Sequence, residues 1–178
     1  MSYLSPKRCP SSAGTRETRA SRQFVIMNEM PLEYSIITKI GDIDVLRGKT
    51  SQFKNFNVRY DEETLDYLKK RLTDKGSLYL QANQGDSFAG FCSMDSDWWE
   101  PDYFFLREIF VEPVFQQKGI GFELMQRCIV HAKKLGEIGV VTETAFQNVP
   151  MQKLCKKCGF IEWENPQWKE GITYKILF

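Results

Sequence analysis

Gly119 and Gly121 stand one residue apart in the run Gln116-Gln117-Lys118-Gly119-Ile120-Gly121, just after an apolar stretch that Pro113 ends. A helix that opens on such a turn presents backbone N–H groups with no intrahelical partner, and its dipole adds about half a positive charge. Two missing side chains let a bulky anion approach that backbone. The chemistry on offer is anion binding, a phosphate above all. Inside the preceding apolar run, Leu106–Val111, lies a carboxylate, Glu108. A buried carboxylate needs a partner or a purpose. Period-two alternation predicts that it shares a face with Leu106 and Phe110. Upstream, Asp95, Asp97, Trp98, Trp99, Glu100 and Asp102 mix acids with aromatic faces, a combination that attracts a cation. The other reading of that segment is a solvated acidic loop whose tryptophans pack on the core or on a second copy of the chain, a homodimer partner.

These groups must be carried by regular elements. Tyr34–Ile40 reads as a strand, and residues 42–53 as a helix burying Ile43, Leu46 and Phe53. Asp61 is an N-cap, with Leu65, Leu68 and Leu72 forming a stripe and Gly76 a stop. Strands Ser77–Ala82 and Ser87–Met94 flank the hairpin signal Asn83-Gln84-Gly85-Asp86. Gly90 implies a bulge or a close backbone approach. After the glycine turn, Leu124, Met125, Cys128, Ile129, Ala132 and Leu135 recur at helical spacing up to Gly136. A strand over Gly139–Phe146, a helix over 150–158, and strands Phe160–Trp163 and Ile172–Phe178 complete the chain. Antiparallel strands leading into one βαβ crossover give an α+β, or mixed α/β, sheet with helices on both faces.

At 178 residues the chain is long enough for one domain with a full core. Residues 31–178 carry that domain. Residues 1–30 lack periodicity and are rich in Ser, Pro and Arg, which reads as a disordered leader, with an organellar transit peptide as the alternative. A net charge of +1 argues against a general nucleic-acid binder. No apolar run is long enough to span a membrane. Five irregularly spaced cysteines do not form a disulfide framework, so a reducing compartment, the cytoplasm, is expected. Cys155-Lys156-Lys157-Cys158 has no second pair to complete a zinc site and closes a helix rather than opening one, so no metal site is expected. The single histidine, His131, falls mid-helix among lysines as a solvated or partly buried surface residue.

Three patterns compete for the glycine turn. A P-loop needs Gly-Lys-Ser/Thr, and Phe122 follows Gly121 instead; a dinucleotide turn needs a third glycine where Leu124 stands. What remains is Gln-x-x-Gly-x-Gly after a strand ending Ile109-Phe110-Val111-Glu112-Pro113. With Gln147-Asn148, Leu154 and Lys157-Cys158-Gly159-Phe160 downstream, the sequence resembles the GNAT superfamily of acetyl-CoA-dependent N-acetyltransferases. The resemblance covers nearly everything after the leader. It implies a central, mostly antiparallel sheet of six to seven strands and acetyl-CoA as co-substrate. Backbone N–H groups of Gln117, Lys118, Gly119, Ile120, Gly121 and Phe122, next to Gln116, would hold the coenzyme's pyrophosphate. The main chain of Ile109, Phe110 and Val111 would pair with its pantetheine arm, and Asn148 would contact the coenzyme.

The implied reaction is transfer of an acetyl group to a primary amine, small and cationic or peptidyl, by direct attack. An amine with a pKa of about 10.4 must first lose a proton, and a carboxylate is the usual acceptor. Glu108 is the first candidate and Glu143 the reserve. The family's usual tyrosine acid is replaced by Cys155, which would serve as an acid or as packing. In the family fold the loop with Asp97, Trp98, Trp99 and Glu100 can reach the acceptor cleft and would bind the amine. The missing tyrosine also leaves open a non-catalytic, regulatory acyl-CoA-binding domain.

Overall fold

Alternating apolar residues through the middle of the chain build one seven-stranded sheet in a computed structural model that describes residues 30–49 and 59–178. The leader and the expected packing of Phe53 lie outside the described residues, apart from Met30. The strands are β1 Leu32–Ile36, β2 Leu78–Gln84, β3 Ser87–Asp95, β4 Tyr103–Val111, β5 Gly139–Ala145, β6 Ile161–Trp163 and β7 Gly171–Leu177. Their spatial order is β1-β2-β3-β4-β5-β7-β6, and every pair is antiparallel except β4–β5. That parallel pair needs a crossover, which the helix Ile120–Leu135 supplies.

Helix α1, Glu62–Arg71, starts where expected: the Asp61 side chain accepts a hydrogen bond from Thr64 N, and Lys69, Lys70 and Arg71 oppose the negative end of its dipole. Its Leu65 and Leu68 join Ile37, Ile43, Leu46, Tyr60, Tyr79 and Phe91 in a closed apolar cluster on one face of the sheet. The opposite face is covered by α2, Ile120–Leu135, which buries Leu124, Met125, Cys128 and Ala132 against β2 to β5 and stops at Gly136. Helix α3 spans Val149–Lys157. His131 is partly buried on α2 and bonds the Gly76 carbonyl.

Two local expectations change. The first strand ends at Ile36 rather than Ile40, because Ile40–Leu46 winds into a 3-10 helix that swings Ile43 and Leu46 into the core. The hairpin turn shrinks to Gly85-Asp86, with Gln84 paired to Ser87. Gly90 is a close approach: a Cβ there would lie 2.8 Å from the Phe110 carbonyl oxygen.

Candidate active site

The site begins with one extra residue in β4. Ser93 pairs with Glu108, but the next residue of β3, Met94, pairs with Leu106, so Arg107 is bulged out of the ladder. The bulge resets the alternation. Phe104 faces His131 of α2, and Arg107 lies over Tyr67 of α1. Glu108 then points to the same side as Arg107, where it accepts a hydrogen bond from the Tyr60 hydroxyl at 2.9 Å. Phe110 follows it there, edge-on to Tyr60 and stacked on Phe88. Glu108 therefore shares a face with Phe110 but not with Leu106, since strict period-two reading cannot see a bulge.

Just past the bulge, β4 and β5 part. Their ladder runs from Tyr103 opposite Gly139 to Leu106 opposite Thr142, and Thr142 Oγ1 also donates to the Leu106 carbonyl. Beyond that, the strands diverge around a cleft of about 740 Å³. Glu108, Ile109, Phe110 and Val111 form one wall, and Glu143 and Ala145 the other. The Phe110 side chain stays in the core, so that residue offers the cleft mainly its backbone.

At the far end stands the glycine turn. Gly119 has φ +85°, a left-handed conformation that glycine tolerates without strain, and it precedes α2 with no side-chain cap. Gln117 is also left-handed, at φ +60°. Gly121 packs under Leu154 of α3, where a Cβ would touch Leu154 Cδ2 at 3.4 Å. Gln116, Gln117, Gly119, Ile120, Gly121 and Phe122 all line the cleft. Lys118 does not; its ammonium sits 5.3 Å from the Phe115 ring. Gln116 Nε2 donates to the Val111 carbonyl and ties the turn to the end of β4.

Two carboxylates sit at the fork. Burial pushes Glu108 above the usual carboxylate range, against the Tyr60 hydrogen bond and the Arg107 charge, which lower it. Glu143 is raised by burial too, and is opposed by hydrogen bonds from Asn165 Nδ2, at 2.9 Å, and the Thr173 hydroxyl. Tyr60 has the complementary shift: burial and the adjacent Glu108 carboxylate drive its hydroxyl far up, so it remains a donor.

A match to the model of the acetyltransferase (GNAT) family spans residues 47–160. The chain belongs to the GNAT acetyltransferases. Its fold recurs in solved structures: the ribosomal-protein-S18-alanine N-acetyltransferase of Escherichia coli has 19% identity and a TM-score of 0.63, covering 83% of this chain and 94% of that one. The Thermoplasma acidophilum PaiA N-acetyltransferase, solved with coenzyme A, has 18% identity and a TM-score of 0.63 over 84% and 100%. A variant of the Vibrio cholerae spermidine N-acetyltransferase has 17% identity and a TM-score of 0.59 over 82% and 93%. Comparison with curated proteins by sequence finds no match.

In this GNAT protein Asn148 lines the cleft, and its side chain also caps α3 by accepting from Met151 N. Cys155, in contrast, is fully buried, and its thiol is pushed up to about 12 by burial and by Cys158. It does not line the cleft. Burial keeps that thiol neutral and away from the cleft.

The acidic tryptophan loop, expected at the amine, lies apart from this cleft. None of Asp97, Trp98, Trp99 and Glu100 lines the cleft. Asp97 is paired with Arg71 and Arg107, and Glu100 with Lys175. Trp98 stacks on Phe105 at 4.8 Å, and Trp99 leans on Trp163, whose ring also lies 3.4 Å from Lys175 Nζ. The acids and aromatics do recognise a cation, but it belongs to the protein itself. Tyr60, Asn165, Thr173 and Arg107 had no signal as single residues. Adjacent charges at Arg107 and Glu108 inside an apolar strand were the visible hint of a bulge.

Among the described residues, no helix is long and apolar enough to cross a membrane.

Proposed function

We propose that this acetyltransferase moves the acetyl group of acetyl-CoA to a primary amine by direct attack in a ternary complex. One observation carries the reading: a hydrogen-bonded carboxylate, Glu108, stands where β4 and β5 fork, in the same cleft as the uncapped N-terminus of α2. The fit to acetyl-CoA rests on the open backbone at Gly119, where nothing lies within 4 Å of an added Cβ, and on the length of β4 that β5 leaves unpaired.

In this reading, backbone N–H groups of residues 117–122 hold the pyrophosphate, and the main chain of Ile109 and Val111 takes the pantetheine arm as an added strand. Acetyl-CoA supplies an activated thioester carbonyl. Glu108 accepts the proton that the ammonium must lose, and its raised proton affinity makes it the stronger base for that task. A backbone N–H near Val111 stabilises the charge that grows on the carbonyl oxygen. Glu143 stands beside this path as the second carboxylate. With Cys155 sealed, the leaving thiolate departs without a protein acid.

The acceptor is a small cationic amine or a peptidyl amine; proteins named for each kind, spermidine and S18 alanine, share the fold. The test is thiol release from acetyl-CoA against a panel of polyamines, amino sugars, and peptides with free lysine or N-terminal amines. Amine-dependent release that disappears in Glu108→Gln supports the reading. The buried Cys155 favours one rival, a non-catalytic acyl-CoA-binding domain: acetyl-CoA that stabilises the fold with no release from any amine would decide for it.

A further inference from the structure

The connection between β6 and β7 reaches the second carboxylate of the fork through one side chain. Asn165 is buried, and its Nδ2 donates to Glu143 Oε1 at 2.9 Å and to Thr173 Oγ1 at 3.2 Å. Its Oδ1 accepts from Gln167 N at 2.8 Å, closing a turn around Pro166, which has no N–H of its own. Both ends of the amide are engaged, so its direction is fixed: reversed, it would set an oxygen against the carboxylate and a donor against the Gln167 N–H. Thr173, opposite Glu143 in the β5–β7 ladder, adds a longer contact to the same Oε1 at 3.5 Å.

The two donors approach from behind the site. Glu143 lines the cleft, whereas Asn165 and Thr173 line a neighbouring cavity of about 360 Å³ and not the cleft itself. Both act on Oε1, which leaves Oε2 to the cleft. Neutral donors on one oxygen favour the ionised carboxylate, which desolvation disfavours. A carboxylate restrained at one oxygen and open at the other is suited to accept a charge-assisted hydrogen bond from an ammonium group. We propose that Asn165 is a positioning residue of this site: it fixes Glu143 so that the open oxygen anchors the ammonium form of the acceptor, across the fork from Glu108. The inference rests on the acetyltransfer reading and adds to it a place for the amine and a link from the β6–β7 connection to that place.

The charged and titratable groups around Glu143 are Arg107 and Glu108 of β4, with Tyr60 bonded to Glu108; Lys175 of β7, which is paired with Glu100; and Glu164 beside Asn165, paired with Lys169. The bonds from Asn165 and Thr173 and the Arg107 charge lower the proton affinity of Glu143 against the burial that raises it.

The test compares Asn165→Leu, Asn165→Asp and Thr173→Val, with spermidine and a peptide with a free N-terminal alanine as amines. Thiol release gives kcat and KM against pH, and calorimetry gives the acetyl-CoA Kd. Carbon-13 labelled glutamate reports the Glu143 titration by NMR, its signal assigned with Glu143→Gln. Asn165→Leu removes the donor that favours ionised Glu143. Its titration therefore moves to higher pH, and the amine KM rises about tenfold near neutrality and further at acid pH, while kcat and the acetyl-CoA Kd stay close to wild type. Asn165→Asp keeps the bond to Gln167 N, and with it the turn, but sets a second carboxylate against Glu143. That pair shares one proton, so the amine KM rises near neutrality and relaxes at high pH, where both ionise. Thr173→Val moves both readouts in the direction of Asn165→Leu by less. A role confined to the turn would lower the melting temperature of Asn165→Leu and leave the amine KM and the Glu143 titration as in wild type; that result would overturn the proposal. If Asn165→Leu does not fold, Asn165→Asp decides, and a wild-type amine KM across pH overturns it. A wild type that releases no thiol with any amine would defeat the acetyltransfer reading alone. The Glu143 titration is read without substrate, and if it stays unmoved in Asn165→Leu and Thr173→Val the positioning role falls as well.

Discussion

Replacing Tyr60 with Phe removes a single oxygen from the fork. The ring remains edge-on to Phe110, so packing is kept, while Glu108 loses the donor 2.9 Å from Oε2. A hydrogen bond to a charged group contributes about 1.5–3 kcal/mol to the ionised form, and each 1.4 kcal/mol is tenfold. The Tyr60 hydrogen bond opposes the desolvation that already raises Glu108, so its loss raises the carboxyl further. A base works only when ionised. The acid limb of kcat/KM therefore moves to higher pH, and rates below it fall by roughly 10- to 100-fold, while the plateau at high pH changes little. Stability follows the same sign. A carboxyl whose folded pKa exceeds its unfolded value binds more protons when folded, so stability is lost as pH rises through that window, and the variant loses more of it. The assay is thiol release across pH, together with thermal melts at both ends of the range. Superimposable profiles with a lowered melting temperature would show that Tyr60 only packs and that Glu108 is not the base.

Four further outcomes follow from the geometry. Gly119→Ala forces a Cβ onto φ +85°, a strain of about 1–2 kcal/mol, and should weaken acetyl-CoA binding measured by calorimetry about tenfold while sparing the amine KM. Cys155→Ala should leave the pH–rate profile unchanged and lower the melting temperature slightly, since only buried packing is lost. Glu100→Gln removes the partner of Lys175, whose side chain is 7% exposed, and should cost about 3 kcal/mol in denaturant unfolding, whereas Trp99→Ala should leave the KM of both substrates unchanged.

What the sequence disclosed was local chemistry. The Asp61 cap, the two-glycine turn and the helical stripe of Leu124 to Leu135 depend on neighbours within a few positions, and they appear in the structure where their patterns place them. What stayed hidden depends on partners far along the chain. Lys175 neutralises Glu100 from 75 positions away, so a loop that looked ready for a substrate cation already had one. The bulge at Arg107 shows only in the pairing of β4 with β3, and alternation within β4 alone misassigned the face that Glu108 shares. Tyr60 precedes α1 in a stretch with no period, and only folding brings it to a carboxylate 48 positions on.

The fork has a mechanical side. Strands β1 to β4 form one leaf of the sheet and β5, β7 and β6 another, joined by the rungs from Tyr103–Gly139 to Leu106–Thr142. A short seam under a wedge-shaped gap behaves like the spine of a half-open book. A ligand spanning both leaves would act as a brace, and amide exchange should slow together in Ile109–Val111 and Glu143–Ala145, on pages that share no hydrogen-bonded rung there.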